Sequence, residues 1–131
     1  MSKQVYAGCV VILLVLSATA MSAFAQQVSA RIPFEFRVDK KTLPAGTYTV
    51  TLPKADAKAL TLRNQGTGAT AQAPIITRLA AKEPPTHDPH LVFDQTDEKH
   101  ALAEFWLPGI DGFYLGGIMT THSHVTIKAS K

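Results

Sequence analysis

His122-Ser123-His124 is the pair in this chain whose type and spacing come closest to chemistry. Two histidines at i and i+2 on a strand project to the same face, so their imidazoles can share one metal ion, with zinc or copper as the ions that suit them. A competing reading is structural. Val125, Ile127 and Ala129 form the inward parity of that segment, which places His122 and His124 with Thr126 and Lys128 on the solvent side. Two ligands also leave a site half built; His87, His90 and His100 would have to be brought there by the fold, and the metal reading takes its third histidine from the Thr86–His90 loop.

Trp106, Asp111 and Tyr114 form a second constellation around the turn Pro108-Gly109-Ile110-Asp111-Gly112. With Phe113, Leu115 and Met119 facing the core, Tyr114 faces out, and an exposed aromatic beside a carboxylate grips sugar or peptide ligands. In the alternative, Trp106 fills the centre of the core. Its strand carries Ala101, Ala103, Phe105 and Leu107 on one parity and Leu102, Glu104 and Trp106 on the other, so both faces are expected to be covered.

Enzyme readings find little to stand on. Glu35 and Glu104 are the only two glutamates on predicted strands, and Glu35 lies on an outward, charge-rich face. No Gly-x-Ser-x-Gly is present, and Cys9 is the only cysteine. Gly66-x-Gly68 and Gly116-Gly117 read as turn or strand glycines, since no helix follows either to make a phosphate cradle. The formal net charge is +3, but no run of Lys and Arg occurs, so nucleic acid is not an expected partner.

The elements that must position these residues are strands. The apolar set Val28, Ala30, Ile32, Phe34, Phe36 and Val38 falls on even positions, the period-2 pattern of one half-buried strand. Leu43-Pro44-Ala45-Gly46 follows as a turn, and then Tyr48, Val50 and Leu52 alternate with threonines. Further strands are predicted at Lys58–Arg63 (Leu60 and Leu62 inward), Ala69–Leu79 (an edge or bulged strand, from Pro74), Leu91–Asp94, His100–Leu107, Phe113–Met119 and Val125–Ala129. Lys82–Pro89, with three prolines, is a loop. This spacing predicts a single all-β domain, an antiparallel β-sandwich or small barrel of seven to eight strands.

The N-terminus predicts export. Lys3 gives a positive start, Val10–Leu16 an apolar run, and Ala23-Phe24-Ala25 the small residues that a signal peptidase reads. Residues 1–25 are therefore expected to be a signal peptide, with Ala18-Thr19-Ala20 as a second cleavage site, and 26–131 the domain. Cleavage removes Cys9 and leaves neither a disulfide nor a stable membrane span. The expected location is periplasmic or extracellular.

Ile32-Pro33-Phe34-x-Phe36, Leu43-Pro44-Ala45-Gly46-x-Tyr48-x-Val50, Leu91-Val92-Phe93, Trp106-Leu107-Pro108-Gly109, Asp111-Gly112 and His122-x-His124 together resemble a family of small exported proteins of acidobacteria. That resemblance implies export and brings no activity, cofactor or catalytic residue with it. The Leu-Pro-Ala-Gly-x-Tyr-x-Val piece alone is also similar to the strand-entry turn of transthyretin-like and immunoglobulin-like surface modules. Two functions are expected on these grounds. The first is a non-catalytic exported module acting through surface contacts, with a protein, glycan or envelope partner and no cofactor. The second is a small metal-binding protein built on His122 and His124.

Overall fold

The computed structural model describes residues 25–80 and 88–131, so the signal-peptide segment and His87 lie outside the described residues. Those residues are all-β, with no helix among them. The strands are β1 (Gln26–Ile32), β2 (Phe36–Val38), β3 (Lys41–Leu43), β4 (Gly46–Leu52), β5 (Ala59–Asn64), β6 (Thr70–Pro74), β7 (Thr77–Leu79), β8 (His90–Thr96), β9 (Lys99–Trp106), β10 (Gly112–Tyr114) and β11 (Ser123–Ser130). They join in one sheet in the order β3-β2-β9-β8-β11-β1-β4-β5-β6, with β10 on β9 and β7 on β10. The two ends of that path approach each other, where the Lys41 ammonium donates to the Thr70 carbonyl. The sheet is therefore nearly closed and barrel-like.

Two runs expected as single strands are split. Pro33 has no N–H to give a ladder, and the chain bends at Phe34. Before the bend, β1 pairs with β4 and β11; after it, β2 pairs with β3 and lies beside β9. The β2–β9 contact is parallel, at Arg37 and Ala101, a departure from the purely antiparallel expectation that the bend imposes. Pro74 likewise ends β6, and two residues later the chain re-enters as β7 on a different neighbour.

Burial follows the alternation where the strands are continuous. Val28, Ala30, Ile32, Tyr48, Val50, Leu52, Leu60 and Leu62 are all buried, as their parity requires. In β9 the parity changes. Leu91 pairs with Phe105 and Val92 with Glu104, but Phe93 then pairs with Leu102, so Ala103 is an extra residue, a β-bulge. The one-residue shift turns both Leu102 and Phe105 into the core and leaves Ala101 and Ala103 on the opposite face. That explains why no single parity of this strand is apolar.

The centre of the core is taken by Phe36, Phe93, Phe105 and Phe113 rather than by Trp106. Phe93 meets Phe34 and Phe36 edge-on, with ring centroids 5.1 and 5.3 Å apart. It stands next to Asp94 on β8 and holds that strand against the core. Phe93→Ala should therefore lower the free energy of unfolding by about 3–5 kcal/mol. Urea denaturation checks this, and a loss below about 1 kcal/mol would mean that β8 is not anchored through this ring.

Candidate metal centre

β11 runs antiparallel to β8 with His124 directly opposite Asp94, so the two side chains share a face. It is the outer face, since the neighbouring pair of Val125 and Phe93 is turned toward the core. Asp94 is nevertheless buried, its side chain only 4% exposed. The cover is the segment Leu115–Ile118, which crosses the outside of β9 and β8. The Leu115 N–H donates to the Ala103 carbonyl (2.7 Å), and the Ile118 N–H donates to Asp94 Oδ2 (2.8 Å). Arg37 clasps the same segment from β2, donating to the Gly117 carbonyl at 2.7 Å.

Gly117 is a residue this strap cannot exchange. Its φ is +69°, and a Cβ there would overlap Asp94 Oδ2 and come within 2.8 Å of the Ala103 Cβ. Together with Gly116, at φ +117°, it turns the chain out of the β10 direction. Met119 is consequently 89% exposed instead of facing the core with Phe113 and Leu115.

While Oδ2 of Asp94 holds the strap, Oδ1 faces two imidazoles. His122 Nε2 lies 3.2 Å from it and His124 Nδ1 3.0 Å from it. Neither contact is a hydrogen bond, and buried Oδ1 has no hydrogen-bond partner among the described residues. The rings stand nearly perpendicular, with centroids 4.9 Å apart. His122 is largely covered and His124 is 57% exposed.

The tautomer of His122 sharpens the point. Its Nδ1 lies 2.6 Å from the Thr120 carbonyl, which can only accept, so Nδ1 carries the hydrogen. In the neutral ring, Nε2 then presents a lone pair to the lone pairs of a carboxylate. Such an arrangement is repulsive unless positive charge lies between the atoms, either a bound cation or the second proton of an imidazolium paired with the carboxylate. Histidine ligands to metals characteristically donate their other ring N–H to a carbonyl or carboxylate in this way. Asp94, His122 and His124 thus form a group that could hold a metal ion, their ligand atoms lying within 4.8 Å of one another.

The third member of the group is an aspartate where a histidine was expected. His90 lies four residues along β8 from Asp94, about 13 Å at the rise of a strand. His100 stacks on Phe34 at 3.7 Å and 9°. With Phe34, Arg37 and Ile118 it lines a cavity of about 460 Å³ that Asp94, His122 and His124 do not line. Asp94 left a faint signal in the sequence, an acid directly following the apolar run Leu91-Val92-Phe93.

In the Trp106–Asp111–Tyr114 constellation both aromatic side chains are hydrogen-bonded within the chain. Trp106 is half-buried and lies flat against Gly112, where a Cβ would come within 2.7 Å of its ring. Its indole N–H donates to Glu104 Oε1 at 2.7 Å, and the Tyr114 hydroxyl donates to the Gly116 carbonyl at 2.6 Å. Asp111 is exposed. Glu104, one of the two strand carboxylates, is thereby engaged with Trp106, while Glu35 is exposed.

Fold and site define an all-β chain with a two-histidine, one-aspartate group on its outer face. No family model, curated protein or solved structure matches the chain.

Gly117→Ala should cost on the order of 1–3 kcal/mol through backbone strain and displace the Asp94 carboxylate. Chemical denaturation and zinc binding, measured on one variant, check both effects. A variant with unchanged stability and zinc affinity would show that the strap does not position Asp94.

Proposed function

We propose that this chain is a small metal-binding protein that holds one divalent transition-metal ion, zinc or copper, on Asp94 Oδ1, His122 Nε2 and His124 Nδ1. The observation that carries this reading is the buried Oδ1 of Asp94, which has two imidazole nitrogens within 3.2 Å and no hydrogen bond. A lone buried carboxylate oxygen is costly, and a cation coordinated by all three groups removes that cost. Two imidazoles and a carboxylate suit first-row divalent ions rather than calcium or magnesium. Three protein ligands, one of them 57% exposed, leave coordination positions open to solvent or to a further ligand.

We read the nearly closed sheet as a small barrel, the reading favoured by the Lys41–Thr70 contact across its ends. It serves as a rigid base for two ligands on neighbouring strands. Export to the periplasm or beyond belongs to the same proposal, on the residues of the N-terminal segment. Action through surface contacts with a protein, glycan or envelope partner ranks behind metal binding. The polar atoms of Trp106 and Tyr114 already have partners within the chain.

Zinc or copper(II) should raise the thermal unfolding midpoint of the protein and leave a His122→Ala, His124→Ala double variant unmoved. At a hundredfold excess of free ion over the dissociation constant, the gain is about 2.7 kcal/mol by mass action. A double variant that responds as the wild type does would sink the assignment of these histidines. Asp94→Asn keeps an acceptor for the Ile118 N–H, so the substituted protein should remain folded while its zinc affinity falls at least about tenfold. Isothermal titration with zinc, alongside circular dichroism, reads both quantities; undiminished affinity would remove Asp94 from the ligand set.

A further inference from the structure

Resting on the metal reading, we propose that the thioether of Met119 is a fourth ligand of the Asp94–His122–His124 centre and lets it hold copper in the Cu(I) state as well as a divalent ion. Met119 is 89% exposed, so its side chain performs no packing that would account for it. Its backbone, by contrast, is tied to the site on both sides. The preceding residue, Ile118, donates its N–H to Asp94 Oδ2 at 2.8 Å, and the carbonyl of the following residue, Thr120, meets His122 Nδ1 at 2.6 Å. Consecutive Cα atoms are about 3.8 Å apart, so Met119 bridges residues that are each hydrogen-bonded to a different metal-ligating side chain. Residues 119–121 form a bend, which carries the chain from the strap back into β11.

A methionine side chain has three rotatable bonds and no branch, so it can swing from water onto an ion without disturbing its neighbours. The exposure of His124 leaves the approach to the group open. The donor then decides the metal. Thioether sulfur is soft and uncharged and favours Cu(I), whereas zinc sites draw on thiolate, imidazole and carboxylate. Copper(II) exceeds zinc at almost any nitrogen and oxygen site, so the methionine is expected to show itself in the reduced ion. Binding is a ligand exchange in which the thioether replaces a water on Cu(I), with no change of oxidation state.

The test uses the full chain carrying Cys9→Ser, which removes the one thiol. Cu(I) affinity is measured by competition with bicinchoninate under ascorbate, and zinc affinity by titration, for this protein and for the same protein with Met119→Leu or with His122→Ala. Leucine at an exposed position keeps size and fold and removes only the sulfur. Met119→Leu should weaken Cu(I) at least about tenfold, no less than the loss of a residue that merely supports a ligand. Zinc affinity should stay within about twofold, because a thioether is not among the usual zinc ligands. X-ray absorption at the copper edge should show a sulfur neighbour that Met119→Leu abolishes. Equal Cu(I) affinity in the Met119→Leu and parent proteins, with His122→Ala weakened, overturns the role of Met119 alone. Cu(I) and zinc affinities that His122→Ala leaves unchanged overturn the metal centre and this inference together.

Discussion

The outer face of the sheet depends on one buried carboxylate. Asp94 sits on a strand covered on both sides and uses its two oxygens differently: Oδ2 takes the Ile118 N–H and holds the strap, while Oδ1 is left to the two histidines. A charge removed from water must be compensated where it lies. The strap creates the need for compensation by shutting water out, and the start of β11 supplies the means in the form of His122 and His124. Burial of the charge and assembly of the candidate site are thus two consequences of one chain crossing.

Several features unrelated in sequence serve that crossing. The bulge at Ala103 turns Leu102 and Phe105 into the core and leaves small residues on the outer face, so the strap can lie close. Gly117 removes the last side chain in the way. Arg37 reaches over from β2, which stands beside β9 because Pro33 and the bend after it redirect the chain out of β1. Each element has an ordinary local cause in a missing N–H, a one-residue insertion or a missing Cβ. Their combination brings Asp94 into contact with two histidines that lie 28 and 30 residues further along the chain.

The placement of His124 opposite Asp94 has a mechanical advantage for metal binding. Cross-strand partners in a paired ladder are held by the backbone hydrogen bonds of both strands, so two of the three proposed ligand positions would be set before any ion arrived. The third, His122, is oriented by its own hydrogen bond to Thr120. The strap and the bend that follow β10 contribute the least regular backbone of the site. They also present the exposed Met119, the one large side chain there that packing has not claimed.

The amino-acid sequence by itself determined the all-β class and the inward set of β1, β4 and β5. Those features follow from alternation, which is local: burial of every second residue needs only the residues themselves. It also marked the turn glycines at 116 and 117 without revealing what they approach. The tertiary structure alone decided that a strand would break at Pro33, that Trp106 would lie against Gly112 while phenylalanines filled the core, and that Asp94 would be the third member of the group. Register, bulges and strap crossings depend on contacts between distant segments. An aspartate at the end of an apolar run looks the same in sequence whether it meets water or a pair of imidazoles.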